Sequence, residues 1–331
     1  MSGMVRETEV DSPVAARGSV KQRLLAGYRV LPGPLIGLLV VVAVLSYLSP
    51  YFLTQRNITN IFSQVSDIGI MAAGSALVII TGGIDLSVGA VLATSLMVNA
   101  WLYRYAGFPF PLALLASLMV GTFIGMVNGA LATYGRIQPF VATLATMSAC
   151  SGFALFITDG SPITGFPDWY TALTSTRVFG IPLEAIILVT TYLVAAFFLR
   201  YRPSGRALYA IGGNEEVARL SGLNVRRIRV GVYAVAGFLA ALAGTVVGSR
   251  LDSAQPTAGA SDLLSVIAVV VIGGASLAGG AGSMLGTFIG LLTIGVLRNG
   301  MGLLNVSPNL QPVVIGVAII FAVLTDRRTR A

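Results

Sequence analysis

Charged residues punctuate this chain and leave long apolar stretches between them. Uncharged runs of 26, 17, 18, 31 and 22 residues separate Arg29, Arg56, Asp67, Asp85, Arg104, Arg136 and Asp159, the short Arg56–Asp67 interval excepted. Runs of 15, 20, 35 and 27 residues then follow Glu184, Arg229, Asp262 and Arg298. About 20 apolar residues suffice for one membrane-spanning helix. The first helix is expected over about residues 34–50, and the second from near Ile58, upstream of Asp67. The 35-residue run is too short for two full spans and too long for one. Its centre, Gly273-Gly274-Ala275-Ser276-Leu277-Ala278-Gly279-Gly280-Ala281-Gly282, carries five glycines in ten residues. Each glycine costs a helix interior about 1 kcal/mol relative to alanine, so two short helices broken at this turn are expected. Arg298 then separates the last two segments, and the pattern predicts ten in all.

Composition agrees with an all-α polytopic membrane protein. Of 331 residues, 55% are hydrophobic and 10% charged, against about 25% charged in an ordinary soluble domain. Residues 1–30 are polar and basic, and the first strongly apolar run begins only near Pro34. That is late for a secretory signal, so a retained cytosolic tail is expected there. A transmembrane domain over 31–326 and a short tail over 327–331 complete the division. With the N-terminus in the cytosol and ten segments, 16 basic residues fall inside and 5 outside, as the positive-inside rule requires. Merging the glycine-broken pair lowers the split to 14 and 7. The net charge of +8 therefore needs no nucleic-acid partner, because anionic lipid of the inner leaflet suffices.

The chemistry available is narrow. Histidine is absent, Cys150 is the single cysteine, and Lys21 is the single lysine. A His general base, a multi-Cys metal site and an internal disulfide are excluded. Lys21 stands between Val20 and Gln22, so the chain has no Gly-Lys-Ser/Thr phosphate loop. An enzyme is the least expected class.

Three places attract functional readings. Thr81-Gly82-Gly83-Ile84-Asp85-Leu86-Ser87-Val88-Gly89 breaks a hydrophobic run. Asp85 is placed to cap the following helix, and unwound backbone at such a break also lines transport paths. Asp67 lies within or near the second span, where a carboxylate is expensive and marks function, unless it sits at the outer interface. Asn128 is placed either to bond a substrate hydroxyl or to bond a neighbouring helix. A partial repeat joins the halves: Gly121-Thr122-Phe123-Ile124-Gly125 recurs as Gly286-Thr287-Phe288-Ile289-Gly290, the Gly82-Gly83 break resembles Gly273-Gly274-Ala275-Ser276, and Gln138-Pro139 matches Gln311-Pro312.

The loop over 200–229 holds seven arginines. Within it, Gly212-Gly213-Asn214-Glu215-Glu216-Val217-Ala218-Arg219-Leu220-Ser221-Gly222 reads as a short helix. Asn214 caps its start, the glutamates occupy the first turn, and Gly222 stops it. A solvated helical loop and a docking element for a cytosolic partner both fit this pattern.

Ser204-Gly205-Arg206 through Ser221-Gly222-Leu223-Asn224-Val225 resembles the cytosolic loop of ribose-type ABC importer permeases. Gly83-Ile84-Asp85-Leu86-Ser87-Val88-Gly89 is similar to that family's best-known stretch. Gly135 to Phe140 with Ala142-Thr143-Leu144, Gly160-Ser161-Pro162, Ser253 to Gly259, and Gly273 to Gly280 follow in the family's order. The resemblance covers about residues 50–326. It implies a monosaccharide-importing membrane subunit in the bacterial inner membrane, paired with a second copy or a paralogue. Cytosolic ATPase subunits would carry the ATP and Mg, with no cofactor on this chain, and an extracytoplasmic binding protein would deliver the sugar. Gly213, Asn214, Glu215, Glu216, Arg219 and Leu220 would form the coupling helix. Gly82, Gly83, Asp85, Ser87, Gly273, Gly274 and Ser276, with Asp67 and Asn128, would mark the translocation path or its helix breaks. One departure is visible: the family commonly has Glu where this chain has Leu263, with Asp262 one position earlier. Related permeases for branched-chain amino acids or nucleosides, and a secondary carrier working alone, are the alternatives.

Overall fold

The structure, a computed structural model, describes residues 33–318 and residue 320. The tails expected over 1–30 and 327–331, and the end of the tenth segment, lie outside the described residues. The chain is helical almost throughout. Helix α1 covers Gly33–Leu48 and α2 Gln55–Ile80. After an irregular stretch come α3 (Val88–Arg104), α4 (Phe110–Thr133) and α5 (Pro139–Phe156). Prolines in the first turns of α4 and α5 sit where a missing amide costs nothing. Strand β1 (Ile163–Thr164), α6 (Asp168–Ser175), β2 (Arg177–Val178) and β3 (Ile181–Pro182) lead into α7 (Leu183–Tyr201). Then follow α8 (Pro203–Gly213), α9 (Glu215–Leu220), α10 (Val225–Leu251), β4 (Ser253–Ala254), α11 (Leu263–Ile272) and α12 (Met284–Leu303). A 3-10 turn at Pro308–Leu310 precedes helical residues 311–318.

Six of these helices, α2, α4, α5, α7, α10 and α12, are long and apolar enough to cross a membrane by length and composition. The apolar α1 and α11 are shorter. The second segment begins at Gln55, ahead of the expected Ile58, because Thr54 caps it: the Thr54 hydroxyl accepts from the Asn57 amide. Arg298 does not separate two segments as expected. It lies inside α12, where Asp262 (3.7 Å) and the Ser265 hydroxyl (2.6 Å) receive its guanidinium.

The core forms around α2 and α10, which pack on each other, with α3 and α4 against α10 and α12 against α2. Glycines set the closest approaches. On α4, Gly121, Gly125 and Gly129 lie against the α10 backbone at Gly237, Tyr233 and Val230, and a Cβ at any of them would strike it. Gly286 and Gly290 of α12 meet Gly273, which caps the end of α11, and Val269 of α11 in the same way. The repeated pentapeptides are thus two small-residue seams that let helix backbones touch. Replacing Gly125 by Val is expected to destabilise the protein by about 1–3 kcal/mol through overpacking, seen as earlier melting in detergent. Gly152→Ala, with open space at its Cβ, is expected to melt like the parent protein.

The two ends of the bundle differ. One end carries α8 and α9. The other carries the antiparallel pair β1–β4, the hairpin β2–β3, and an aromatic cluster of Phe110, Phe166, Trp169 and Tyr170. The Tyr170 hydroxyl donates to the Thr245 carbonyl at 2.7 Å, fixing this cap to α10.

Candidate functional site

The arginine-rich loop folds as two helices rather than one. Asn214 ends α8 and begins α9, its side chain accepting from the Val217 amide at 3.0 Å. Gly222 takes the left-handed conformation (φ 83°) that stops α9. Glu216 and Arg219 pair at 2.6 Å on the exposed face, and that contact raises the Arg219 pKa above its ordinary value. Ala218 points inward, clustered with Ile211 and Val225. Val217 and Leu220 point outward and are 57% and 76% exposed. Two apolar side chains of this six-residue helix are thus turned away from the bundle.

The first helix break is held by side chains from three helices. Gly82 adopts φ 80°, a conformation open to glycine without strain. Asp85 does not sit at the N-cap of α3, which is Ser87. Its carboxylate instead accepts from the Ser87 amide (2.8 Å) and hydroxyl (2.6 Å) two residues on, an Asx turn. Asn128 of α4 donates to the Ser87 hydroxyl at 2.8 Å. Thr143 of α5 and Tyr233 of α10 donate to the Ile84 carbonyl at 3.3 and 3.4 Å. Backbone freed inside the bundle must find such partners. Asp85, Ser87 and Asn128 are all buried, so here they tie the break to its neighbours.

The second break, Gly273 to Ser283, lies against the first. The Gly280 amide donates to the Ile80 carbonyl at 2.9 Å. Gly274 is exposed with φ 84°, and Ser276 turns the loop by pairing its amide with the Ala281 carbonyl. Helix α8 closes the junction. Its Gly212 Cα faces the Ile80 carbonyl and the Gly280 amide so closely that a Cβ would overlap both. Gly213 has open space instead. The Tyr209 hydroxyl donates to the Gly282 carbonyl at 3.0 Å. Arg229 bridges the Thr81 carbonyl (3.5 Å) and Glu215 (2.8 Å). Both glycine breaks and the start of α9 therefore share one set of contacts.

Asp67 is remote from this junction. It pairs with Arg250 at 3.0 Å near the opposite end of the bundle, and Glu184 lies 3.9 Å from the same guanidinium. Arg250 also donates to the Ser63 carbonyl at 2.7 Å. The sequence pattern does not single out Glu184, Tyr209, Gly212 or Arg229. An arginine near the end of α10 and an acid in the first turn of α7 were the available signal for the first of these.

The profile of a family described as "Branched-chain amino acid transport system / permease component" matches residues 57–323. The chain belongs to this permease family. Among curated proteins, the permease is 48% identical to the ribose import permease protein of Bacillus subtilis, over 90% of this chain and 93% of that one. It is 44% identical to the ribose import permease protein of Haemophilus influenzae, over 88% and 91%. The D-allose transport system permease protein of Escherichia coli is 39% identical over 88% and 89%. No solved structure matches. The permease is a multi-pass membrane protein of a transport family, and its curated relatives are transport subunits.

Proposed function

We propose that this permease is the membrane subunit of an ATP-binding-cassette importer that carries a monosaccharide into the cytosol. The 48% identity to a ribose import permease across nearly the whole of both chains is the observation that carries the reading. The 39% identity to an allose permease favours a sugar over the amino acid in the family's description. In this reading the ten segments are α1, α2, α3, α4, α5, α7, α10, α11, α12 and the helix beginning at residue 311. Both termini face the cytosol of a bacterial cell, across its inner membrane. A second copy or a paralogue completes the pathway, and an extracytoplasmic binding protein supplies sugar. The chain binds no cofactor, and ATP and Mg reside on the partner ATPases.

The mechanism follows from the junction. An ATPase seated on Val217 and Leu220 moves α9 when it closes on ATP. Glu215 and Arg229 join α9 to Thr81, and Gly212 and Tyr209 join α8 to both glycine breaks. A displacement of α9 is therefore delivered to the points where two membrane segments are already unwound, which changes the side from which the path opens.

Uptake of labelled ribose by cells whose only ribose-type importer contains this chain tests the substrate class. Unlabelled ribose or allose is expected to compete, and leucine is not. Uptake of labelled leucine by the same cells with no uptake of labelled ribose or allose would overturn the sugar reading. Replacing Glu215 and Arg219 together by Ala is expected to uncouple sugar uptake from ATP hydrolysis while leaving insertion intact. Wild-type uptake in this double variant would refute the role of α9.

A further inference from the structure

An elongated apolar groove of about 790 Å³ runs between α7 and α10, with Leu77 of α2 also lining it and Ser204 and Leu208 of α8 at its loop end. Its walls include Thr190, Val194 and Phe198 on one side and Val235 and Leu242 on the other. From Arg227 to Leu242 the α10 wall extends about 22 Å at 1.5 Å per residue, longer than one leaflet's half of an about 30 Å hydrocarbon core. Gly231 lies in the same wall and has nothing within 4 Å of its Cβ position, so the groove is open to an occupant.

Charge is confined to one end. Arg227 lines the mouth beside Ser204 in the first turn of α8. Within the same loop, Arg219 and Arg229 are neutralised by Glu216 and Glu215, and Arg226 lies over the Tyr134 ring. Arg227 has no acidic partner among the described residues. The first turn of α8 has no side-chain cap, so its amides add positive potential at the mouth. A hydrocarbon-lined slot between membrane helices, closed at its loop end by a guanidinium and a helix N-terminus, complements an anionic amphiphile.

We infer that this groove is a binding site for an anionic phospholipid of the leaflet facing the arginine-rich loop. The phosphate sits at Arg227 and the α8 start, and an acyl chain lies along α10 past Gly231. Basic pockets between membrane helices select such headgroups. The site is independent of which solute the permease carries. It adjoins α8, whose other end makes the Gly212 junction, so the lipid braces the helix that joins the loop to the breaks.

Native mass spectrometry of the detergent-purified full-length permease tests this. The protein is delipidated and then titrated with phosphatidylglycerol or phosphatidylcholine of identical chains. Phosphatidylglycerol is expected to bind about fivefold more tightly, the effect of one basic residue near a lipid headgroup. Arg227→Gln is expected to erase that preference and Arg227→Lys to keep most of it. Gly231→Phe, which fills the groove from an open position, is expected to lower binding of both lipids. Equal binding of the two lipids by the parent protein, or an undiminished preference in Arg227→Gln, would overturn the site. So would a Gly231→Phe variant that keeps both lipids but no longer self-associates, since the groove would then hold a second copy of the chain.

Discussion

Gly212→Ala is expected to lower sugar uptake by at least about tenfold while ATP hydrolysis by the assembled transporter persists. The added methyl meets the Ile80 carbonyl and the Gly280 amide, both backbone atoms. Neither can rotate away, so α8 must withdraw or the Gly280–Ile80 hydrogen bond (2.9 Å) must open. Overpacking of this kind costs about 1–3 kcal/mol, and a lost buried hydrogen bond about 1 kcal/mol. Where the step that moves the junction bears this cost, about 1.4 kcal/mol of it is already tenfold in rate. The loss falls on the contact that joins loop to break, not on membrane insertion. Gly213→Ala is the matched control, because nothing lies within 4 Å of its Cβ position; transport at the parental rate is expected. Measuring uptake and ATP hydrolysis together in proteoliposomes decides the matter. If Gly212→Ala transports as well as Gly213→Ala, the junction does not carry the motion.

Arg250→Ala is expected to be the most destabilising single change at the opposite end. Asp67 and Glu184 are 5% and 3% exposed, and Arg250 is the cation within reach of both among the described residues. Removing one partner of a buried ion pair costs about 3–5 kcal/mol, because the remaining charge stays buried and uncompensated. Here two carboxylates are stranded. Low yield and early melting in detergent are expected, with partial recovery when Asp67→Asn and Glu184→Gln are added. Asp67→Asn alone is expected to be milder, since Arg250 keeps Glu184 and the Ser63 carbonyl. Melting of Arg250→Ala at the parental temperature would show that the cluster contributes nothing to stability.

Much of the architecture is legible in the sequence because a membrane penalises unpaired charge. The uncharged runs mark the helices, and glycine pairs mark both breaks, since Gly82 and Gly274 take positive φ. Asn214 and Gly222 bound α9 where capping chemistry puts them. The same reasoning fails where charges find partners. Arg298 stays inside α12 because Asp262 and Ser265 receive it. Asp67, expected as a functional intramembrane acid or a residue of the outer interface, is paired with an arginine 183 residues away. Asn57 and Asn299 exchange side-chain hydrogen bonds at 2.9 and 2.8 Å across 242 residues, and no local pattern encodes that. At the junction the sequence marks the glycines without showing which one bears the contact. Gly212 and Gly213 are alike in composition, and only the packing of α8 on Ile80 and Gly280 separates them.

The central claim is that this chain works as the membrane half of an ATP-driven importer. Mild-detergent affinity purification of the full chain, with mass spectrometry of what accompanies it after cross-linking in the membrane, tests it most directly. A stoichiometric P-loop ATPase, cross-linked through α9, is the result expected. A chain that purifies alone and carries sugar into liposomes without ATP would contradict the account.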